Sequence, residues 1–183
     1  MSEFVCETPR LIIRLAVRRD APLVHSLWTD PRVMENVGFP NGLPITLEQM
    51  RENIARRGNS VFEQLLIVEI KGSKQPIGQC LMSSPDEHGI STTDIKLLPE
   101  FWGYHYGVEV KQALLAYLFE HTDCVAVEAT PNVANTASIK LQEAVGGVRV
   151  SEGIFKFPES MQSFTQPVHH YVYRVYRKDW TGA

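Results

Sequence analysis

The spacing of apolar residues changes several times along the chain, and each spacing predicts a different kind of element. Short apolar or alternating runs predict strands. They occupy residues 11–16, 62–71, 76–83, 91–98, 124–129, 148–155 and 170–176. Apolar residues three and four apart predict helices. These occupy residues 18–28, 46–57, 104–121 and 132–145. The predicted order is therefore β-α-α-β-β-β-α-β-α-β-β.

The connections between these elements predict the fold class. Tight turns join the three strands predicted between residues 62 and 98, which favours antiparallel neighbours. The long helix at residues 104–121 is a crossover connection of the kind that joins parallel strands. No internal repeat or linker divides the chain. We therefore expect residues 1–183 to form one α/β domain, whose sheet is antiparallel first and gains parallel pairing around the long helix.

The composition excludes several classes of protein. A hydrophobic share of 44% and a charged share of 21% are ordinary for a globular domain. A net charge of -3, with no Lys/Arg run longer than two, argues against a nucleic-acid surface. Neither a signal peptide nor an apolar run of membrane-spanning length is visible. The three separated cysteines, Cys6, Cys80 and Cys124, indicate a reducing compartment, so we expect a cytoplasmic protein.

The most informative stretch is residues 97–119, LLPEFWGYHYGVEVKQALLAYLF. An apolar strand end runs through Pro99 into a Trp-Gly turn, and a long amphipathic helix begins directly afterwards. Several backbone N–H groups at such a helix start have no partner, and the positive end of the helix dipole lies behind them. The sequence therefore predicts a site for a phosphate-bearing ligand at this turn.

Five segments, in this order, resemble the GNAT acetyltransferases, and within them the group that contains the ribosomal-protein N-terminal acetyltransferases. The segments are TPRLIIRLAVRRDAPLVHSLWTDPRVMENVG, LLPEFWGYHYGVEV, NVANTASIKLQEAVGG, VSEGIF and YVYRVYRKDW. Together they cover nearly the whole chain. The resemblance implies the GNAT fold: a mixed, mostly antiparallel central sheet with parallel, splayed central strands, flanked by about four helices. It also implies an acetyl-CoA-dependent N-acetyltransferase.

The resemblance further implies where acetyl-CoA binds. Its pantetheine arm would lie between the strands at residues 91–98 and 124–129, where a strand edge can pair with amide groups as another strand would. Its pyrophosphate would lie on the helix start at residues 103–107. The cofactor-binding residues expected on this basis are Ile95, Lys96, Leu97, Leu98, Trp102, Gly103, Tyr104, His105, Tyr106, Gly107, Asn132, Asn135 and Ser138.

One departure from the family pattern lies in the cofactor turn. The family usually has a glycine two residues after Gly103, whereas this chain has His105. A side chain at that position is expected to be compatible only with a negative φ. His105 is then either a hydrogen-bond donor to the phosphate or a solvent-facing residue near Glu109, one helical turn on.

A second departure concerns the general acid. Many members of the family have a tyrosine on the second cofactor helix, where this chain has Gln142, and an amide cannot protonate a thiolate at useful rates. In the N-terminal acetyltransferase group a serine earlier on the helix is the candidate, and Ser138 matches it. Ser138 shares a helical face with Asn135. The alternative is that Ser138 is a small residue that lets the helix pack close to the cofactor.

Direct transfer of an acetyl group from a thioester to an amine requires a neutral amine, a donor to the developing oxyanion and an acceptor for a proton. Neutralising an ordinary ammonium at pH 7 costs about 4 kcal/mol. Asp94 is the first candidate for the base, and a backbone N–H near Leu97 is the expected oxyanion donor. The other candidates for the base, each in or at the end of a predicted strand, are Glu69, Glu128 and Glu152.

The acetyl acceptor is less defined by the sequence. We expect a primary amine, either a protein N-terminus or a small molecule, in a site walled by residues 33–47 with the helix that follows, and by the aromatic segment 156–168. Acidic residues in or near these walls would attract a cationic amine or are ordinary surface charges. They are Glu48, Glu52, Glu63 and Glu159.

Three further expectations follow from the same reading. The substitutions at His105 and Gln142 leave open a non-catalytic CoA-binding or regulatory protein of this fold. The aromatic segment and the last strand, YVYRVY, would suit a homodimer. No metal site is expected, because His169 and His170 are adjacent on a strand and no HxxxH or HExxH spacing occurs.

Overall fold

The computed structural model describes residues 4–56, 58 and 60–182. The described strands are β1 (Phe4–Glu7), β2 (Leu11–Leu15), β3 (Leu66–Ile70), β4 (Pro76–Met82), β5 (Ile90–Leu97), β6 (Ala126–Ala129), β7 (Val148–Phe155) and β8 (Val168–Tyr176). The described α-helices are α1 (Ala21–Thr29), α2 (Pro31–Met34), α3 (Leu47–Ala55), α4 (Tyr106–His121) and α5 (Thr136–Ala144). Short 3-10 turns join several of these elements.

The strands form one sheet in the order β1-β2-β3-β4-β5-β6-β8-β7. Neighbours from β1 to β5 are antiparallel, and β5 and β6 are parallel because the α4 crossover joins them. The remaining pairs, β6 with β8 and β8 with β7, are again antiparallel. The predicted fold class is therefore confirmed, including the position of the parallel pair.

Two elements of the fold are absent from the predicted order. β1 was not predicted because it is only four residues long, at the start of the chain, and is at most half-buried. α2 is also four residues long, and it lies between the helices predicted at residues 18–28 and 46–57, where no helix was predicted. The side chain of Asp30 starts α2 by accepting a hydrogen bond from the Arg32 N–H at 2.9 Å, and Pro31 occupies the first helical position.

The sheet lies between two helical layers. On one face α4 buries Val110, Leu114, Leu115 and Leu118 completely, in a cluster with side chains of β2, β3 and β4. Burying each such side chain contributes roughly 1.5–3 kcal/mol. On the other face a second cluster joins α1, α3 and Ile67 of β3. A site that opens between strands at the centre of the sheet would therefore have two distinct sides, one at each face of the sheet.

Candidate functional site

The central strands β5 and β6 separate part of the way along their length. Their pairing runs through Ile90, Ser91 and Thr92, and the last pair joins Thr92 to Glu128. Beyond Thr92 the edge of β5 lines a cleft of about 1020 Å³, which α4, α5 and the segment around α2 also line. This cleft thus begins where the two parallel strands part.

Hydrogen bonds to β4 determine which backbone groups of β5 face this cleft. The Thr92 carbonyl accepts a bond from the residue after β4, and the Leu98 N–H donates to the Ile77 carbonyl at 2.9 Å. Backbone groups alternate in direction along a strand, so the even-numbered residues point towards β4. The groups that point to the free edge therefore belong to Thr93, Ile95 and Leu97.

This alternation corrects part of the predicted cofactor contact. Of the four positions expected to offer backbone groups, Ile95 and Leu97 do so, whereas Lys96 and Leu98 direct theirs into the sheet. The Lys96 side chain still lines the cleft, and Leu98 does not. The error arose because the prediction treated consecutive residues of a strand as equivalent, although successive residues face opposite neighbours.

The turn between β5 and α4 contains two residues in the left-handed region. Gly103 has a φ of 83°, and His105 has a φ of 61°. The expected negative φ at His105 is therefore wrong. The left-handed region remains accessible to a non-glycine residue at a cost of roughly 1–2 kcal/mol. These two conformations delay the start of α4 to Tyr106, two residues later than predicted.

Side chains from the first hairpin hold this turn in place. Arg10 donates to the Tyr104 carbonyl at 3.2 Å and pairs with Glu109 of α4 at 2.6 Å. The Arg10 guanidinium also lies 4.5 Å from the centre of the Tyr106 ring. Thr8 donates a further hydrogen bond to Glu109. The Glu109 side chain is therefore occupied by Arg10 and Thr8, and the hydrogen bond between Glu109 and His105 joins backbone groups, Glu109 N–H to the His105 carbonyl at 3.3 Å. The His105 side chain is exposed and also lines the cleft, so both alternatives for it stay open.

The helix start meets the requirements of a phosphate site. Helix geometry leaves the first N–H groups of α4, at Tyr106, Gly107 and Val108, without partners inside the helix. The turn residues Trp102, Gly103 and His105 line the cleft beside them, and a Cβ added at Gly103 would meet no atom within 4 Å. The free edge of β5 leads directly to this turn, so the described residues fit an elongated ligand that ends in phosphate.

Trp102 connects the strand edge to the turn. Its indole N–H donates to the Leu97 carbonyl at 2.9 Å, which satisfies one of the backbone groups at the free edge. Tyr104, by contrast, is exposed, stacks on Tyr106 and does not line the cleft. Trp102 therefore both stabilises the turn and lines the cleft. Tyr104 contributes to the turn through its backbone carbonyl, which accepts the hydrogen bond from Arg10.

The predicted residues of α5 line the opposite wall of the cleft. Asn135 caps the helix, since its side-chain oxygen accepts a bond from the Ser138 N–H at 3.0 Å. Ser138 and the buried Gln142 face the cleft from the same helix. Asn132 donates to the Asn36 carbonyl at 3.3 Å, which ties this wall to the segment after α2. The sequence prediction that these side chains share one site with the turn therefore holds in the geometry.

The four carboxylates considered as bases lie in different places. Asp94 lines the cleft, where it is paired with Lys96. The other three lie outside the cleft lining, and each is engaged by an arginine: Glu69 by Arg14, Glu128 by Arg174 and Glu152 by Arg149. Geometry therefore leaves Asp94 as the one of these four that can reach a ligand in the cleft.

The segment around α2 contributes cleft residues that the sequence analysis did not identify. Arg32, Glu35 and Asn36 line the cleft on the side of Asp94. Glu35 adds a second carboxylate there. The signal available in the sequence was the helix-start pattern at Asp30 and Pro31, which would have placed a short helix in this segment.

Lys111 was also missed, and it is the least expected residue of the cleft. It is 1% exposed, lines the cleft from α4, and donates a hydrogen bond to the Thr93 hydroxyl. Burial lowers the pKa of Lys111 from its usual 10.5 to about 7. The signal was its spacing, because Lys111 stands at a helical interval from Leu114 and Leu118, both core residues.

The expected walls of the acceptor site contact each other. The Phe39 ring lies 5.2 Å from Phe157 and 6.3 Å from Phe164, and the Gln166 N–H donates to the Gly38 carbonyl at 2.8 Å. Segment 156–168 lies outside the lining of the main cleft, and its role as a wall of the acceptor site stays a prediction. Its residues Met161 and Phe164 instead line a separate cavity of about 390 Å³ against α3.

The acidic residues expected near these walls are mostly occupied. Glu48 pairs with Arg18 and Arg51, and Glu52 pairs with Arg56. Across the part of the chain that the structure describes, no group of three or more His, Cys, Asp or Glu side chains could hold a metal ion. None of the described helices has the length and apolar character needed to span a membrane.

Comparisons with known proteins agree with this geometry. The family model of the acetyltransferase (GNAT) domain matches residues 10–148. A curated relative, the uncharacterized N-acetyltransferase p20 of Bacillus licheniformis, is 25% identical over 180 residues, which is 96% of this chain and 97% of that protein.

Two solved structures share the fold at low sequence identity. The spermidine N-acetyltransferase of Vibrio cholerae, solved with CoA and spermine, is 19% identical with a TM-score of 0.76 over 94% of this chain and 98% of that one. A candidate ribosomal-protein-serine acetyltransferase from the same organism is 19% identical with a TM-score of 0.75, over 96% of this chain and 99% of that one.

Proposed function

Because the chain belongs to the GNAT family and is an acetyltransferase, we propose that it transfers an acetyl group from acetyl-CoA to a primary amine. The acceptor is either a small-molecule amine or a protein N-terminus. One observation carries this proposal: the free edge of β5 and the start of α4 form a continuous path along one cleft. That path offers strand-like pairing at one end and a phosphate site at the other.

The donor side of the proposal rests on the α4 face of the cleft. The Ile95 carbonyl and the Leu97 N–H would hydrogen-bond the amide groups of pantetheine. The turn from Gly103 to Gly107, with the first N–H groups of α4, would hold the pyrophosphate. Bound there, acetyl-CoA supplies an activated acyl group, and the chain's own groups position it against the acceptor.

The acceptor side rests on the two carboxylates of the cleft. Asp94 and Glu35 both line it, beside Arg32 and Lys96, and these two carboxylates are the groups that would pair with a cationic amine. Asp94 would accept the proton of the incoming ammonium, directly or through water. The Ile95 N–H, which lies nearer to Thr93 along the free edge than the Leu97 N–H that would pair with pantetheine, would donate to the oxyanion as the acyl carbon becomes tetrahedral. Ser138 would hydrogen-bond the departing sulfur.

The proposal is tested by amine-dependent release of free CoA from acetyl-CoA. Spermine and a peptide with an N-terminal serine would be compared at equal concentration, since these represent the two acceptor classes. Release with one of them above the rate without amine supports the proposal and identifies the class. Tight binding of acetyl-CoA without release for either acceptor would contradict it. A peptide with an acetylated N-terminus and no lysine is the matched control.

A homodimer and a cytoplasmic location remain predictions. The last strand, YVYRVY, belongs to β8, which is paired with β6 on one side and β7 on the other, so the expected edge-to-edge contact through it is wrong. The outer strand β7 instead carries exposed apolar side chains at Val148, Val150, Ile154 and Phe155, which would suit a second subunit. Light scattering during gel filtration would measure the mass in solution. A monomeric mass at concentrations well above those of the assay would contradict the dimer.

A further inference from the structure

Lys111 stands where the rest of α4 is apolar. Its neighbours on the same helical face, Val110, Leu114 and Leu115, are fully buried core residues. The Lys111 side chain is turned towards β5, and its amine donates to the hydroxyl of Thr93. Among the described residues no carboxylate lies within ion-pair distance of that amine. A fully buried cation without a counterion is costly, so its retention requires an explanation.

The position of Thr93 places the Lys111 amine at the closed end of the cleft. Backbone pairing of β5 with β6 stops at Thr92, so Thr93 is the first residue of the free edge. The phosphate turn lies at the other end, beyond Leu97. Four residues of strand separate the two, a distance of about 13 Å. If the pyrophosphate of acetyl-CoA lies at the turn and its pantetheine arm follows the free edge of β5, the acyl thioester at the far end of the arm lies beside Thr93 and Lys111.

The leaving group of the reaction requires a proton at that end. A thiolate departs when the acyl carbon bonds to the acceptor nitrogen, and a donor beside the sulfur favours the departure. Gln142 carries an amide, which cannot serve, and the Ser138 hydroxyl is a weak acid. We propose that the Lys111 ammonium donates the proton to the departing thiolate of CoA. This inference rests on the proposed function.

The step balances without any further reagent. The acceptor nitrogen forms a bond to the acyl carbon, the C–S bond breaks with its electron pair on sulfur, and one proton passes from the Lys111 Nζ to the sulfur. The acceptor nitrogen releases its own proton to Asp94 or solvent, and Nζ regains one from solvent. The net change is one thioester and one amine converted to one amide and one thiol.

The surroundings of Lys111 allow it to give up its proton near neutrality. Burial is the cause that lowers the pKa of Lys111 to about 7, and an ordinary lysine would hold its proton too firmly to act as an acid there. The titratable side chains of the core cluster that α4 joins are Cys6, Cys80, Cys124, Tyr106 and Tyr117. Those that line the cleft together with Lys111 are Arg32, Glu35, Asp94, Lys96, His105, Tyr106 and Lys140. Burial raises the pKa of the Cys6 and Cys80 thiols, so these remain uncharged.

The experiment measures the thiol of bound CoA, with no turnover. Wild type, Lys111→Met and Lys140→Met would each be saturated with CoA and titrated with base, with the ultraviolet absorbance of the thiolate as the signal. Lys140→Met is the matched control, because Lys140 also lines the cleft but is exposed. The Lys111 amine and the thiol titrate as a coupled pair, and up to about pH 7, where the amine is still charged, it lowers the pKa of a thiol beside it by about 1–3 units. We expect thiolate to form in wild type and Lys140→Met at least about one pH unit below Lys111→Met.

Each outcome has a definite meaning. Equal thiol pKa values in wild type and Lys111→Met, with CoA bound by both, would overturn the role of Lys111 and leave the acetyltransferase proposal intact. Failure of wild type to bind CoA would overturn both. As a second readout, Lys111→Met should reduce kcat without raising the KM for acetyl-CoA, and the alkaline decrease of kcat above about pH 7 should disappear.

Discussion

Two lysines line the same cleft from opposite faces of β5, and their surroundings differ completely. Lys96 lies on the face that packs towards α1, where its side chain is 10% exposed and paired with Asp94. Its neighbour across the strands, Gln79, accepts a hydrogen bond from Trp28 of α1. Lys111 reaches the other face, on the side of α4, and among the described residues its amine has the Thr93 hydroxyl as its one hydrogen-bond partner.

The difference shows how one cleft can keep two kinds of charge. On the acceptor side a carboxylate and an amine, Asp94 and Lys96, are in direct contact as an ion pair. An amine that is buried with only a hydroxyl is easily neutralised, so Lys111 can exchange a proton on the donor side. The two faces of β5 thus separate the carboxylate that would take the proton of the acceptor from the amine that would protonate the departing sulfur.

The largest predicted difference between the two lysines is in stability. At pH 7 the buried Lys111 reduces the free energy of unfolding by roughly 4 kcal/mol, because its pKa is about 7 in the folded protein and about 10.5 in the unfolded chain. Lys111→Met should therefore raise the free energy of unfolding, whereas Lys96→Met should change it by no more than about 1 kcal/mol. Urea unfolding at pH 7 measures both.

The pH dependence of the same two variants tests the cause. Between pH 7 and 10.5 the unfolded chain binds more protons than the folded protein at Lys111, so stability should rise by up to about 1.4 kcal/mol per pH unit. This rise should be absent from Lys111→Met and present in Lys96→Met. Parallel stability curves for wild type and Lys111→Met across this window would contradict the account.

The second prediction removes the charge of the acceptor side. Asp94→Asn keeps the size of the side chain but cannot accept a proton, so kcat should fall by about 100-fold or more. Lys96→Met is the comparison, since it leaves the carboxylate in place and should lower kcat much less. Steady-state kinetics with a saturating amine would measure both. Similar losses in the two variants would indicate that the ion pair acts only as a unit that holds the strand.

The third prediction concerns the hydroxyl that holds Lys111. Thr93→Val has nearly the same shape but removes the acceptor of the buried amine, which should cost about 1–3 kcal/mol of stability. Urea unfolding of Thr93→Val and of the double variant with Lys111→Met tests the coupling. The cost of the valine should vanish in the Lys111→Met background. An equal cost in both backgrounds would show that Thr93 acts independently of Lys111.

The smallest effect is expected at Ser91, two residues earlier on the same face. Within the described residues Ser91 Oγ is the one buried side-chain polar atom without a hydrogen-bond partner. Ser91→Ala removes an unsatisfied group, so stability should be unchanged or rise by about 1 kcal/mol. A clear loss on thermal or urea unfolding would show that this hydroxyl makes an interaction that the described residues do not account for.

The sequence was sufficient for the parts of the fold that depend on periodicity. The strand at residues 148–155 was predicted with its observed limits, and the parallel pair around α4 followed from one crossover helix. Local conformation was harder to predict. The left-handed φ of His105 shifted the start of α4, and β1 was too short to give a pattern.

The features of the candidate site likewise fall into those that the sequence predicts and those that it does not. Backbone-built features, such as the free edge at Leu97 and the turn at Gly103, follow from chain order and were predicted together. Features that depend on long-range packing were not. Lys111 was not identified, because a lysine is rarely buried, and the segment at 156–168 packs on Phe39 and lies outside the cleft lining.

Calorimetric titration with acetyl-CoA is the most direct test of the central claim, which is that the cleft between β5 and β6 holds the acyl donor. Wild type should bind one equivalent with a dissociation constant on the order of micromolar. Gly103→Val should bind at least about tenfold more weakly, because a β-branched residue resists the left-handed φ of that turn. Equal binding by the two folded proteins, or none by wild type, would contradict the account.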